Sequence, residues 1–515
     1  MTSSDLDRVI IRPMDEYNQK LIANVHPENW VNPQPADCYD LVVIGAGVAG
    51  LVVAAGAAGL DLGLKVALVE KHLMGGDCLN VGCIPSKCMI RSSRILGEMQ
   101  KAKDLGINVS KHIDVDFATV MSRLRKIRAD ISPHDSAARF KKLGVDVFLG
   151  NGQFTSKNTV DVDGQTLKFK KAVIATGTRA AKPPIPGLEA AGFLTNETVF
   201  SLIQRPKTLA IIGGGVIGCE LAQTFRRLGS EVILFHSGSR LLNREDLEAV
   251  KILEKVFIDE GIRLVLNSRL EEVATVTEGK RLYFSANNIR DSVTVDEILV
   301  AAGRVPNVEG LNLEVAGVEY DKKLGLQVND YLQTTNPKIF AAGDICMNWK
   351  FTHAADAAAR IVIKNTLFTP FGLGKDRLSK LIMPWVTYTD PEIAHVGMYE
   401  DEAEKLGIAV DTIKIPFSSV DRAIVDSEDI GFVKIHHKKG TDQILGATIV
   451  ASHAGEMISE VTTAIVNKIG LSKLSSVIHP YPTQAEAIKK AADAYRRTLL
   501  TPKTKNFLRF LTKFS

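Results

Sequence analysis

A glycine pattern that occurs twice constrains this chain more than anything else in it. In the first copy, "LVVIGAGVAGLVVAAGAAGL" (residues 41–60), a β-branched run from Leu41 to Ile44 enters Gly45-x-Gly47-x-x-Gly50. A small-residue helix follows, then a second strand, "KVALVE", ending at Glu70, twenty residues beyond Gly50. Twenty residues without a charge would also suit a membrane span on length alone. The spacing assigns them instead to a strand-turn-helix-strand unit that binds a dinucleotide. Gly45 allows the tight turn, Gly47 lets a pyrophosphate approach the backbone, and Gly50 lets helix and strand pack closely. The helix N-terminus offers free N–H groups and the positive end of its dipole to the phosphates, and Glu70 is placed to accept hydrogen bonds from a ribose.

The second copy, "TLAIIGGGVIGCELAQTFRRLGSEVILF" (208–235), repeats the unit with Gly213, Gly215 and Gly218. Its second strand ends at His236, in the place of Glu70, and His236, Ser237 and Arg240 offer donors and positive charge where the first copy has a carboxylate. That suits a 2′-phosphate better than a ribose diol, so NADPH is expected at the second site, with NADH the alternative. The bland reading is that His236 and Arg240 line a solvent-facing loop.

The chain's 515 residues exceed one core and predict two to four domains of α/β type. A net charge of +4 over that length gives no reason to expect nucleic acid. The opening "MTSSDLDRVIIRPMDEYNQKL" is acidic, with no long apolar core, and reads as neither signal nor transit peptide, which makes a cytoplasmic protein the expectation.

In that compartment the six cysteines are too sparse for a disulfide framework, yet three of them fall within "MGGDCLNVGCIPSKC" (74–88). Cys78 and Cys83 stand just after the first nucleotide unit, at the start of a predicted helix with Pro85 in its first turn. A thiol at a helix N-terminus beside Lys87 should have a lowered pKa, which makes Cys83 the more activated of the two. A zinc site would need further ligands, and no second CxxC or CxxH stands near, so no metal is expected there. Cys88 and Cys219 read as buried small residues.

"GGDCLNVGCIPSK" resembles the active-site signature of the class I pyridine nucleotide-disulfide oxidoreductases, flavoproteins that include dihydrolipoamide dehydrogenase, glutathione reductase and mercuric reductase. The likeness runs from about residue 39 to about residue 500 through "VIATGTRAAKPPIPG", the second glycine motif, "AAGRVPN", "IFAAGD", "VTYTDPEIAHVG" and "HPYPTQAE", in the family's order. It implies two Rossmann-like domains, an FAD domain (39–190 and 309–382) interrupted by an NAD(P)H domain (191–308), then an α+β dimerisation domain (383–500). Residues 1–38 form an extension without a core of its own, and 501–515 a tail. The resemblance also implies a homodimer sharing its active sites. Gly76, Thr176, Gly177, Gly303, Gly343 and Asp344 join the glycines and Glu70 in holding cofactor. Cys83 becomes the thiolate against the flavin and Cys78 the exposed thiol that meets the acceptor. Lys87 lies near the flavin and pairs with Glu220, whose bland reading is a helix-surface acid.

The choice within the family turns on Tyr481-Pro482-Thr483-Gln484-Ala485-Glu486, where disulfide-reducing members have His-Pro-Thr-x-x-Glu. A phenol titrates near ~10 and an imidazole near ~6.5, a handicap of roughly 4 kcal/mol for a base at neutral pH. Tyrosine here is similar to mercuric reductase, in which both thiolates bind a soft cation. Against that reading, the chain ends "NFLRFLTKFS" without a vicinal cysteine pair, residues 1–38 hold only Cys38, and Asp77 stands where threonine is usual. The expectation is an FAD-dependent NAD(P)H oxidoreductase acting on a thiol-reactive acceptor, Hg(II) foremost. A dihydrolipoamide dehydrogenase-like enzyme using His479 is the first alternative, and a redox-sensing flavoprotein with a regulatory partner the second. Phe507, Phe510, Leu511 and Phe514 recur at helical spacing among Lys505, Arg509 and Lys513, a stripe expected to pack on the protein itself rather than on a membrane.

Overall fold

The computed structural model describes residues 11–110 and 113–514, which divide into two compact units. One runs up to Ser237 and resumes at Leu264–Leu381; the other joins Gly238–Arg263 to the residues from Ile382 onward.

The larger unit is built on a parallel sheet whose central strand β1 (Tyr39–Ile44) is the β-branched run before the first glycine motif. Leu41, Val42 and Val43 are wholly buried, as expected of a strand covered on both faces. β1 pairs in parallel with β2 (Val66–Glu70) on one side and with Gln165–Ile174 on the other. β3 (Val145–Leu149) extends the sheet beyond β2, and Ile339–Ala341 lies parallel beyond Gln165–Ile174. The last pairing carries Gly343 and Asp344 to the carboxyl ends of the strands, where doubly wound sheets bind their ligands. Helix α2 (Val48–Ala58) follows the glycine turn, so the uncharged stretch is a strand and an 11-residue helix; among the described residues no helix is long and apolar enough to cross a membrane.

The second glycine motif has its own four-stranded sheet, in which Thr208–Ile212 lies parallel to both Glu231–Phe235 and Glu297–Val300. A three-stranded antiparallel sheet spanning 268–295 shares its core, through Ala210, Phe235, Leu282 and Phe284.

Residues 11–38 are more ordered than their composition suggests. Asp15 caps helix α1 (Glu16–Val25) by accepting from Asn18 N at 2.9 Å, and it pairs with Arg125 of α5 (Phe117–Ile131) at 2.5 Å. Leu21 and Val25 are fully buried, so α1 borrows the core of the nucleotide domain.

In the smaller unit a five-stranded antiparallel sheet, in the order 384–387, 392–397, 444–451, 432–438, 410–416, is backed by helices Ala454–Val466 and Glu486–Thr498. Ile449, Val461, Ile488 and Ala492 interlock between them. Gly238–Arg263 belongs here because Glu245 accepts from Trp385 Nε1 at 2.7 Å and from Tyr399 Oη at 2.8 Å, while Lys434 Nζ lies 2.7 Å from Asp246 and from Glu248. Helix Pro502–Leu511 has no buried residue, so its apolar stripe does not pack on the core of its own chain. Thr501 caps its start by accepting from Thr504 N, with Pro502 in the first turn.

Candidate active site

The first glycine turn is set by backbone sterics. Gly45 sits at φ +100°, and a Cβ there would lie 2.4 Å from Ala175 O; one on Gly50 would lie 1.8 Å from Gly45 O. Gly47 caps α2 and faces Gly76, whose own Cβ would meet the Gly47 Cα at 2.7 Å. The two loops therefore meet backbone to backbone, leaving the amides at the start of α2 open to phosphate. Glu70 accepts from Ala46 N at 2.6 Å and from His72 N at 2.8 Å, and burial pushes its pKa up.

Across the strand ends, Thr176 and Asn307 bond each other's backbone carbonyls at 3.0 and 2.9 Å, fixing the segment that includes Gly177. Asp344 accepts from Thr178 Oγ1 at 3.0 Å and lies 3.8 Å from Arg304 Nε, just after Gly303. Burial raises the Asp344 pKa, while Arg304 and Thr178 oppose the shift. Arg304 also pairs with Asp77, so the residue that departs from the usual threonine has a cationic partner. A half-buried carboxylate at each end, with a glycine cradle between them, fits FAD: acceptors for ribose and ribitol hydroxyls, free amides for the pyrophosphate.

Cys78 lies on α3 (Gly76–Val81) and Cys83 opens α4 (Cys83–Lys101), with Gly82 between the helices. Both are free thiols; Cys83, in the first turn of α4, is exposed and Cys78 is half-buried. The Cys78 thiol donates to the Cys83 sulfur, which chiefly holds Cys83 down to about 6 against its burial. Thr352, 3.4 Å from the sulfur at the start of helix Thr352–Leu367, and Lys87 lower it further. The same hydrogen bond, with burial, drives the Cys78 pKa up. Lys87 Nζ lies 2.8 Å from Glu220 Oε2, on the helix Val216–Arg227 that follows the second glycine turn; Glu220 is 4% exposed and no surface acid.

Sequence reading missed two supports of this site. Thr352 belongs to none of the motifs. Arg128, buried on α5, donates to Asn80 O on α3 at 2.6 Å and to Asn18 Oδ1 on α1 at 2.6 Å, which ties the extension to the helix carrying Cys78.

The second turn repeats the first almost atom for atom. Gly213 has φ +122° with Ala301 O 2.5 Å from a Cβ position, and a Cβ on Gly218 would lie 1.8 Å from Gly213 O. Gly215 caps its helix with open space around it. His236 Nδ1 accepts from Gly214 N at 3.2 Å, which leaves the neutral ring's proton on Nε2. That Nε2 is buried and has no partner among the described residues, so a hydrogen-bond donor waits at the strand end. Arg240, in the other unit, donates to Asn243 O and Glu245 O.

In the smaller unit, Tyr481 is 72% exposed and donates to Asp421 at 3.1 Å, a bond that raises the phenol's pKa further. Glu486 begins helix Glu486–Thr498, and its Oε2 is buried without a partner among the described residues. His479 does not pair with Glu486: its Nε2 lies 2.9 Å from Glu460. Cys88 and Cys219 are buried, as expected.

Two dinucleotide cradles flanking a polarised thiol pair define a flavin- and nicotinamide-dependent oxidoreductase. Residues 39–359 match the family described as pyridine nucleotide-disulphide oxidoreductase and 383–492 its dimerisation domain; the chain belongs to that family, and its cofactors are FAD and NAD(P)H. Among relatives, it is 36% identical to a mercuric reductase of Lysinibacillus sphaericus, over 88% of this chain and 82% of that protein. It is 34% identical to a dihydrolipoyl dehydrogenase of Chlamydia muridarum, over 88% of this chain and 96% of that one. LpdA of Mycobacterium tuberculosis superposes with a TM-score of 0.80 at 26% identity, over 90% of this chain and all of that one. The Cu(II) complex of the HOCl-induced flavoprotein disulfide reductase RclA from Escherichia coli gives 0.78, also at 26%, over 89% of this chain and all of that one.

Proposed function

We propose that the chain oxidises NAD(P)H, NADPH by preference, and passes the electron pair through Cys78 and Cys83 to a thiol-reactive acceptor, with Hg(II) the leading candidate. In this reading 39–190 and 309–382 bind FAD, 191–308 binds the nicotinamide, and two copies share each site through 383–500. Bound FAD supplies two-electron exchange between nicotinamide and disulfide. Gly47 and the amides of α2 hold its pyrophosphate, while Glu70 and Asp344 hold its hydroxyl-bearing ends. Lys87, oriented by Glu220, places an ammonium where negative charge develops on reduction. Cys83, open on its surface, is the thiolate that the flavin covers, and Cys78 keeps the proton until acceptor arrives. His236 Nε2–H offers its donor to the nucleotide's phosphate or ribose oxygens.

The observation that carries the acceptor class is Tyr481. Held by Asp421, it donates a hydrogen bond and takes up no proton near neutrality, which suits an acceptor captured by two sulfurs better than a disulfide whose leaving thiol must be protonated. His479, bound to Glu460, leaves that deficit in place. The deciding experiment is an acceptor panel: NADPH oxidation by the yellow protein with Hg(II), lipoamide and oxidised glutathione. Fast turnover with Hg(II) alone supports the reading. Lipoamide turnover lost in His479→Ala would replace it with the dihydrolipoamide dehydrogenase-like one, and slow turnover with every acceptor would leave a redox sensor.

A further inference from the structure

The helix Pro502–Leu511 and the turn after it stand apart from every core in the chain. Phe507, Phe510 and Phe514 are 60%, 56% and 76% exposed, and with Leu511 they form one stripe at the spacing i, i+3, i+4, i+7. Lys505, Arg509 and Lys513 form the opposite face at i, i+4, i+8. From residue 494 to 515 the sequence has six cations, Arg496, Arg497, Lys503, Lys505, Arg509 and Lys513, and no aspartate or glutamate. The helix is capped from within its own sequence, Thr501 accepting from Thr504 N.

We propose that this helix lies in the surface of an anionic lipid bilayer, its phenylalanines among the acyl chains and its cations at the headgroups. The charge pattern chooses the occupant. A groove on a protein would reward the apolar stripe without calling for an acid-free flank, and a nucleic acid would reward the cations while leaving three phenylalanines in water. A negatively charged bilayer takes both faces at once, and long basic side chains reach the headgroups while their stems stay apolar. No described helix is both long and apolar enough to cross a membrane, and a ten-residue amphipathic helix makes a peripheral, reversible contact.

The test is flotation of the full-length, flavin-loaded protein with phosphatidylcholine vesicles and with vesicles of phosphatidylcholine and phosphatidylglycerol. Binding is expected to the anionic vesicles alone and to weaken as salt rises. Each lost cation should cost about five-fold in partitioning, so a Lys505→Glu, Arg509→Glu, Lys513→Glu protein should bind roughly a hundred-fold more weakly or worse. A Phe507→Ser, Phe510→Ser, Phe514→Ser protein should fail to float although every cation remains. Both proteins should keep their NAD(P)H turnover, since none of these residues touches the redox site. Absence of flotation with anionic vesicles, or flotation indifferent to the phenylalanines, overturns the proposal. So does a phenylalanine variant that falls from dimer to monomer, which would assign the stripe to a second copy.

Discussion

The two glycine turns are built alike and end differently. In each, the residue closing the second strand holds the amide that follows the first glycine: Glu70 holds Ala46 and His236 holds Gly214. A carboxylate in that place accepts further hydrogen bonds and repels phosphate, whereas an imidazole fixed by its Nδ1 keeps a donor on its buried Nε2. The turn geometry makes a dinucleotide site, and the proposed preference for NADPH assigns the choice of dinucleotide to the side chain at the strand end.

The largest effect should come from breaking the likeness itself. Gly218→Ala forces a Cβ to within 1.8 Å of Gly213 O, and Gly50→Ala does the same at Gly45 O. We expect Gly218→Ala to yield a yellow protein whose reduction by NAD(P)H is slowed about a hundred-fold or more, and Gly50→Ala a protein that loses its flavin colour. Stopped-flow absorbance and the bound-flavin ratio check the pair. Colour retained in both would show that the turns are not each matched to one cofactor.

A smaller effect should come from exchanging the strand ends. His236→Glu copies the first site into the second and should move the ratio of kcat/KM for NADPH over NADH toward NADH by about ten- to a hundred-fold, the worth of one charge-assisted contact. An unchanged ratio would return His236 and Arg240 to the role of loop residues.

The smallest effects concern the sulfurs between the two sites. Because Cys83 is held down to about 6, thiolate absorbance in the reduced enzyme should be fully developed at neutral pH and fade as pH falls through about 6. Replacing its stabilising neighbours should raise that midpoint in the order Cys78→Ala, then Thr352→Val, then Lys87→Met, read from pH titrations of the same band. A reversed order would make Lys87, rather than the hydrogen bonds, the principal stabiliser.

Both turns were legible in the sequence because clearances of 1.8 to 2.5 Å admit no side chain, so glycine spacing records the geometry directly. The signature around Cys78 and Cys83 was legible for a similar reason: one short segment carries both sulfurs, Lys87 and the helix start. Thr352 and Arg128 were not. Each reaches the site from a distant stretch of chain, and a single threonine or arginine in a helix or loop reads as ordinary until the fold brings it in. Helix α1 escaped notice because its buried face has only two apolar residues, Leu21 and Val25, beside Asn18, and they pack on a core it does not own. The basic tail was legible only in part: helical periodicity predicts a helix, which Pro502–Leu511 forms, but does not say what the apolar side meets.

The orphaned Oε2 of Glu486 has a consequence for the enzyme at low concentration. A carboxylate oxygen shut away from water with no hydrogen-bond donor among the described residues is a small instability in the single subunit, and association with a second copy that supplies a donor would relieve it. Specific activity should therefore decline on dilution, and Glu486→Gln, which removes the charge while keeping the shape, should move the concentration at which the decline sets in.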